Sequence, residues 1–324
     1  MARAYRWGKL PRDWCHEPFI MTTGHINQAR HKYVAEGTKV GFFTDPTVCI
    51  GCKACEVACK EWNDVPEDGL VWTGHSYDNS GSLGASTWRH VKFRELDRRL
   101  GPAADGPAAD GIRNPFGWLF LSDVCKHCEH AGCLEACPTG AIFRTEVSSV
   151  YVQDDVCNGC GTCVAGCPFG VVERRGDGTA APTTRQGERK GEQPEVPKRG
   201  VAQKCTLCYD RLVDDQTPAC AKTCPTTSIK FGNHEDLLVE ARARVEQLHA
   251  QGLTEARLYG ANDLDGVGGT GSVFLLLDEP EVYGLPPDPR VCTADLMTMY
   301  KRAGIAAAGM VAAAAISFLR GKPR

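Results

Sequence analysis

Sixteen of the eighteen cysteines in this chain fall into four groups of four. The segment Cys157–Pro168 reads C-x₂-C-x₂-C-x₃-C-P, and Cys49–Cys59 repeats its cysteine spacing. Cys125–Pro138 reads C-x₂-C-x₄-C-x₃-C-P, and Cys205–Pro225 reads C-x₂-C-x₁₁-C-x₃-C-P. Thiolates at this spacing, followed by C-P, are the ligand pattern of bacterial-ferredoxin-type [4Fe–4S] clusters. The sequence therefore predicts four [4Fe–4S] clusters.

Two other uses of so many cysteines fit the pattern less well. A disulfide framework is disfavoured because C-x₂-C pairs leave little room for separate bridges, and the chain lacks the character of a small secreted domain. A zinc ribbon needs two C-x₂-C pairs about 15–20 residues apart and does not need C-x₃-C-P. A zinc-binding structural protein stays open as an alternative class. Cys15 and Cys292 are left over, and we interpret them as ordinary thiols.

The fourth cysteine of such a group ligates the other cluster of a pair. We expect it to start a helical turn that points toward that neighbour. The middle groups are close in sequence and should share one module, which leaves the outer groups for a second module. The four predicted ligand sets are set A (Cys49, Cys52, Cys55, Cys224), set B (Cys205, Cys208, Cys220, Cys59), set C (Cys125, Cys128, Cys133, Cys167) and set D (Cys157, Cys160, Cys163, Cys137).

Charge gives a second kind of candidate residue. The formal net charge is −3, so no basic excess indicates a nucleic-acid partner. Clusters held by thiolates add buried negative charge, which needs partners. Lys53, Lys126 and Lys204 lie in or beside cysteine groups. We predict that they offset cluster charge and tune its potential; ordinary solvation of surface lysines is the alternative.

The pattern between the cysteine groups predicts an α+β fold with two ferredoxin-like dicluster modules, one inserted in the other, and a C-terminal helix. Short apolar runs bounded by turn residues predict strands, and an apolar stripe at helical spacing predicts a helix. The predicted strands are Phe116–Leu121, Ala141–Phe143 paired with Val150–Val152, Ile229–Phe231 and Val273–Leu277, and the predicted helix is Glu235–Gln251.

These elements divide the chain into six parts. The predicted parts are an N-terminal extension (1–44), an outer module (45–115 with 201–232), an inner module (116–175), an exposed insertion (176–200), a docking segment (233–300) and a membrane anchor (301–324). The first part lacks the apolar segment of a signal peptide.

The C-terminal part contains an uncharged run, Ala303–Leu319, that spans about 26 Å as a helix. We predict that it crosses a membrane. Arg320, Lys322 and Arg324 favour a cytoplasmic C-terminus, with the clusters on the extracytoplasmic side. A soluble helix in a cytoplasmic protein is the alternative.

The cysteine groups and their flanks resemble the iron–sulfur (beta) subunits of molybdopterin oxidoreductases, and in particular those of membrane-bound formate dehydrogenases. The resemblance runs from about Thr44 to Pro289. It is carried by CIGCKACEVACKEWND (Cys49–Asp64), CKHCEHAGCLEACP (Cys125–Pro138), CNGCGTCVAGCPF (Cys157–Phe169) and KCTLCYDR (Lys204–Arg211), and by the shorter segments Tyr77–Asn79, Gly266–Thr270 and Tyr283–Pro286.

This resemblance implies an electron-transfer subunit that is not a catalyst on its own. Such subunits pass electrons from a molybdopterin or tungstopterin alpha subunit to a membrane cytochrome b gamma subunit, with the outer module toward alpha and the inner module toward the membrane. Some nitrate reductase relatives replace one ligand in the third group, but Cys160 keeps that position here. A beta subunit of a sulfur-compound or sulfoxide reductase and a free polyferredoxin stay open as alternatives. The extensions 1–44 and 233–324 count against the latter.

Overall fold

The computed structural model describes residues 38–67, 74, 78–96, 117–176 and 200–320. Within them the chain folds into a mixture of α-helices and β-strands. The strands are β1 (Val40–Thr44), β2 (Arg89–Leu96), β3 (Gly117–Val124), β4 (Ile142–Arg144), β5 (Val150–Val152), β6 (Glu173–Arg174), β7 (Ala202–Gln203), β8 (Ile229–Asn233), β9 (Arg257–Tyr259) and β10 (Ser272–Leu276). The helices are α1 (Ala54–Trp62), α2 (Gly132–Glu135), α3 (Thr162–Gly166), α4 (Tyr209–Val213), α5 (Ala219–Thr223), α6 (His234–Ala250) and α7 (Leu296–Arg320).

A four-stranded sheet in the order β8-β1-β10-β9 forms one core of the protein. Strand β1 pairs antiparallel with β8 and parallel with β10, and every residue of β1 and β10 is buried. The predicted strands at Ile229–Phe231 and Val273–Leu277 are confirmed as β8 and β10. Helix α6 packs on β1 and β8 through Leu237, Ala241 and Leu248, which confirms the predicted helix.

Two hairpins lead into the cysteine groups. The predicted hairpin is confirmed as β4 paired with β5. The strand predicted at Phe116–Leu121 is β3, and it continues to Val124; Phe116 itself lies outside the described residues. The partner of β3 is β2, and the pairing sets Arg89 opposite Val124. This hairpin therefore ends directly beside Cys125.

The helices of the cysteine groups correct one expectation. The fourth cysteine does not start a helical turn: Cys167 and Cys224 are the residues directly after α3 and α5. In each case a proline follows the cysteine, and a residue before proline is disfavoured from helical geometry. Cys59 is followed by Lys60 instead, and it lies inside α1.

Helices α2 and α3 cross at two glycines. A Cβ atom on Gly132 would lie 2.3 Å from the carbonyl oxygen of Gly166, and a Cβ on Gly166 would lie 2.9 Å from that of Gly132. Neither position has room for a side chain. This close approach brings Cys137, which follows α2, toward the group of α3, and Cys167, which follows α3, toward the group of α2.

The C-terminal helix α7 is longer than the predicted run. It has 25 residues and includes Lys301 and Arg302, and none of its residues is buried. Its mean hydropathy reaches 1.7, so this helix is long and apolar enough to cross a membrane.

Candidate metal centres

The four thiols of set A line one cavity. Cys49 and Cys52 come from the loop before α1, where Gly51 and Lys53 have φ angles of 66° and 59° and turn the chain back on itself, and Cys55 lies in the first turn of α1. Cys224 arrives from the other end of the sequence, directly after α5. The remaining walls include the apolar side chains of Val91 and Ile229. The structure thus brings set A together across 175 residues of sequence.

The four thiols of set C line a second cavity. Its apolar walls are formed by Val150, Val171, Val172 and Phe169. The two cavities have the same arrangement of donors, with three cysteines from one group and the fourth from a different group. The two cavities are therefore suited to hold the same kind of metal centre.

The thiols of sets B and D also come together. Burial raises the pKa of Cys59 strongly, and repulsion from Cys205, Cys220 and Cys208 raises it further. Burial likewise raises the pKa of Cys163 to about 11, helped by Cys157, Cys160 and Cys137. Thiols that influence each other in this way lie close in space.

The arrangement of the thiols fits a cluster. Burial raises the pKa of Cys55 to about 11 and that of Cys133 to about 12, so these thiols hold their protons until a cation replaces them. A zinc ion would need sulfurs about 2.3 Å from one point. Across the described ranges, no group of three or more His, Cys, Asp or Glu side chains is close enough to hold one metal ion. Four sulfurs spread around an apolar cavity match the larger iron–sulfur core.

Several hydroxyl groups and one amide point at the cysteine sulfurs. The Ser122 hydroxyl lies 3.3 Å from Cys55 Sγ, and the Thr162 hydroxyl lies 3.1 Å from Cys160 Sγ. Asn63 Nδ2 donates to Cys59 Sγ at 3.7 Å and to Cys208 Sγ at 4.0 Å, which bridges two members of set B. Hydrogen bonds to cluster sulfur help to set the potential.

Sequence reasoning missed these groups, although part of the signal was present. Thr139 and Thr226 follow a cysteine by two residues in the motif C-P-T, and their hydroxyls lie 3.7 Å and 3.8 Å from Cys137 Sγ and Cys224 Sγ. Ser122 comes from β3, outside any cysteine group, so spacing alone could not identify it.

The three predicted tuning lysines have different surroundings. Lys53 Nζ lies 2.9 Å from the Asp78 carboxylate and 3.4 Å from that of Glu56, so carboxylates already balance its charge. Lys126 is buried and paired with the Asp123 carboxylate. Whether these lysines tune a cluster stays a prediction.

Lys204 differs from the other two because its neighbours are thiols of two different sets. It is buried, and its Nζ donates to the carbonyl oxygens of Val150 and Cys205. Burial lowers its pKa, but negative charge on Cys125, Cys133 and Cys205 outweighs that effect, so the pKa is raised. Lys204 therefore lies where set B meets set C.

Comparison with known proteins points to one family. A family model described as a 4Fe-4S dicluster domain matches residues 116–184 and 193–234, and one described as a 4Fe-4S binding domain matches residues 46–62. The chain is 38% identical over 290 residues to the "Formate dehydrogenase, nitrate-inducible, iron-sulfur subunit" of Escherichia coli. The aligned region covers 86% of this chain and 82% of that protein.

Two further relatives extend the comparison. The "Formate dehydrogenase iron-sulfur subunit" of Haemophilus influenzae is 38% identical over 251 residues, 76% of this chain and 68% of that protein. One polypeptide of the anaerobic dimethyl sulfoxide reductase of Escherichia coli is 32% identical over 202 residues, 62% of this chain and 76% of that protein.

Proposed function

Because this chain belongs to the family of formate dehydrogenase iron–sulfur subunits, we propose that it carries electrons through four [4Fe–4S] clusters from a formate-oxidising catalytic subunit to an acceptor in the membrane. Membership makes it an electron-transfer subunit of an oxidoreductase complex, with a catalytic subunit as its partner. The clusters, when bound, supply one-electron carriers. The protein's own residues hold them, exclude water from them and set their potentials.

One observation carries the proposal of four clusters: the sixteen grouped cysteines come together as sets A, B, C and D. We assign one cluster to each set. The fourth cysteine of every set comes from a different group, as expected for paired clusters. This sharing supports the proposed inner module (116–175) inserted in the outer module (45–115 with 201–232).

The electrostatic neighbours of the thiols support a linear order for the sets. Cys55 of set A is affected by Cys220 of set B, and Cys205 of set B is affected by Cys125 of set C. Cys133 of set C is in turn affected by Cys163 of set D. The proposed path of the electrons is therefore A, B, C, D.

The ends of this path lie near the surface. Cys52 of set A and Cys160 of set D are exposed cysteines. We assign the catalytic subunit to the end at set A and the membrane acceptor, a cytochrome b, to the end at set D. The catalytic subunit would carry molybdopterin or tungstopterin.

The segment 233–300 would serve in docking, and 301–324 would anchor the chain with its C-terminus on the cytoplasmic side. Residues 1–37 and 177–199 lie outside the described residues, and their roles as an extension and an exposed insertion stay predictions. Val40–Thr44, at the end of the predicted extension, form β1 of the four-stranded sheet.

Iron and sulfide analysis of anaerobically purified protein tests the cluster count. Four clusters require about 16 irons and about 16 sulfides per chain. A content near half of that value, or zinc in place of iron, would refute the proposal. The same preparation should show the broad visible absorption of iron–sulfur charge transfer, which a zinc protein lacks.

Purification of the complex in its native form tests the partners. The proposal expects a catalytic subunit that oxidises formate and a membrane cytochrome to accompany the chain. A sulfoxide or sulfur-compound reductase subunit in their place would identify the related family instead. Recovery of the iron–sulfur protein alone, with all its iron, would favour a free polyferredoxin.

A further inference from the structure

Arg89, the first residue of β2, places a guanidinium group in the interior of the protein. Only 1% of the residue is exposed, and its Cζ lies 4.7 Å from the centre of the Phe42 ring. Its Nη1 donates to the Ser122 carbonyl oxygen at 3.3 Å and interacts with the Ser122 hydroxyl at 3.1 Å. An arginine keeps its charge in proteins. The hairpin of β2 and β3 therefore holds a permanent positive charge in the core, and such a charge needs a partner.

The other edge of this guanidinium is formed by Nε and Nη2. Nε and Nη2 are fully buried, and neither has a hydrogen-bond partner among the residues that the structure describes. These two atoms form the side-on edge of the planar fork, whose parallel N–H groups suit a bidentate acceptor. A buried donor pair of this kind indicates an acceptor that is not part of the polypeptide.

Arg89 lies beside cysteine sulfurs of two ligand sets. The Ser122 hydroxyl that accepts from its Nη1 at 3.1 Å lies 3.3 Å from Cys55 Sγ. Burial lowers the pKa of Arg89, and Cys220, Cys55, Cys205 and Cys59 raise it by a larger amount. The interaction is mutual, because Arg89 opposes the rise in pKa that burial causes in each of these thiols. One of the four belongs to set A and three belong to set B. The guanidinium therefore lies between the two sets of the outer module.

Resting on the cluster assignments proposed above, we propose that Arg89 is the shared counter-ion of the two outer-module clusters and donates its Nε–Nη2 edge to cluster sulfur. Reduction adds negative charge to a buried cluster. A fixed cation and N–H donors stabilise the reduced form more than the oxidised form, so they raise the midpoint potential. Because one charge acts on both sets, the midpoint potentials of the two clusters rise together. The difference between the two potentials, which drives electron transfer from one cluster to the other, therefore stays small.

Arg89→Gln in the full complex tests this role, with Arg94→Gln as the matched control. Arg94 lies on the same strand, but its side chain is exposed. EPR-monitored redox titration should show the reduction equilibrium constant of both outer-module clusters falling at least tenfold, a midpoint shift of about 59 mV for one electron. The inner-module clusters and the Arg94→Gln protein should keep their wild-type potentials. Unchanged potentials in loaded Arg89→Gln protein, or a shift confined to one outer cluster, would overturn the proposal.

Wild-type protein provides a second readout if Arg89→Gln loses iron. With arginine labelled by ¹⁵N in the guanidinium, pulsed EPR should detect ¹⁵N coupling to the reduced set A cluster. Arg211 acts on Cys208 of set B, so coupling on set A is the diagnostic signal. Its absence overturns the role of Arg89. A wild-type protein without four clusters would instead refute the function proposed above, and iron analysis separates these two failures.

Discussion

Cys137 gives the most direct test of how the thiols are shared between groups. Its group supplies three members of set C, whereas Cys137 itself lies with Cys157, Cys160 and Cys163 of set D. Cys137→Ser should therefore alter the cluster of set D and leave that of set C intact. EPR spectra of the reduced and oxidised protein should show one altered centre, with the signal of a three-iron form.

The control for this variant is Cys292→Ser, which removes an exposed thiol outside every set. Its spectra should equal those of the wild type. If Cys137→Ser changes the set C signal and spares set D, the exchange of fourth cysteines is wrong.

The lysines near the cysteine groups should differ in their effect because their partners differ. Lys204 is buried among thiols of sets B and C, whereas Lys53 is paired with two carboxylates. Lys204→Gln should lower the potentials of the set B and set C clusters, by about tenfold in the reduction equilibrium or ~59 mV. Lys53→Gln should change the set A potential much less, because its carboxylate partners already offset that charge. Redox titration of both variants measures the difference, and equal shifts would contradict this reasoning.

At the scale of residues, the sequence predicted the thiol ligands better than it predicted which charged side chains pair with each other. Fixed spacing identified the thiols because three ligands of each proposed cluster come from one cysteine group. It could not rank the lysines, because the fold brings Asp78 to Lys53 across 25 residues of sequence. Arg89 was missed for the same reason: it lies 30 residues from Cys59 and 36 residues from Cys125 in sequence, and only the pairing of β2 with β3 brings it to the thiols.

At the scale of elements, the crossing of α2 and α3 is the most sensitive point. Gly132→Ala would place a methyl group 2.3 Å from the Gly166 carbonyl oxygen, so one helix must move. Overpacking of this kind costs about 1–3 kcal/mol. Because these two helices position the cysteines of sets C and D, we expect lower stability and loss of iron from the inner module.

Gly232→Ala is the control for this crossing, since nothing lies within 4 Å of a Cβ at Gly232. Thermal unfolding and iron analysis of the two variants should separate them, with Gly232→Ala close to the wild type. Equal stability and iron content in the two proteins would contradict the tight crossing.

The elements that could be predicted are those whose signal is local. The strands β4, β5, β8 and β10 are apolar runs between turn residues, and α6 has an apolar stripe. Strand β2 was not predicted, because its charged residues, Arg89, Lys92 and Arg94 among them, hide the strand pattern. Strand β9 has three residues and depends on pairing with β10. Cys167 and Cys224 were expected to start a helical turn, but the proline after each of them disfavours helical geometry at the cysteine, so each lies directly after its helix.

At the scale of the whole molecule, the sets form a line whose two ends are open to partners. The interior sets B and C contain mostly buried thiols, while Cys52 and Cys160 at the ends are exposed. On the proposed path, electrons would cross the buried interior and enter or leave at the exposed ends, where a partner would cover Cys52 and Cys160. This arrangement suits a subunit that works inside a complex.

The C-terminal helix gives the prediction for the molecule as a whole. Helix α7 is exposed along its length and apolar enough to span a membrane. Its uncharged part is rich in alanine, which contributes little to transfer into lipid. Gly304, Ala308 and Ala312 lie four residues apart on one face, and such small residues favour close packing against another helix. Deleting 296–324 should therefore release the complex from membranes, or weaken its hold on the cytochrome, while the iron content stays unchanged.

A point substitution tests the same helix without removing it. Met310 lies on the face opposite to the small residues, and it is 68% exposed, as Val239 on α6 is 67% exposed. A lysine near the centre of a membrane helix costs about 2.5–3.5 kcal/mol, so Met310→Lys should weaken membrane retention. Val239→Lys places the same charge on the cluster-bearing part of the protein and should leave retention unchanged. Membrane flotation and quantitative blotting measure both. Full-length protein recovered without detergent in the soluble fraction, with no membrane subunit attached, would refute the anchor.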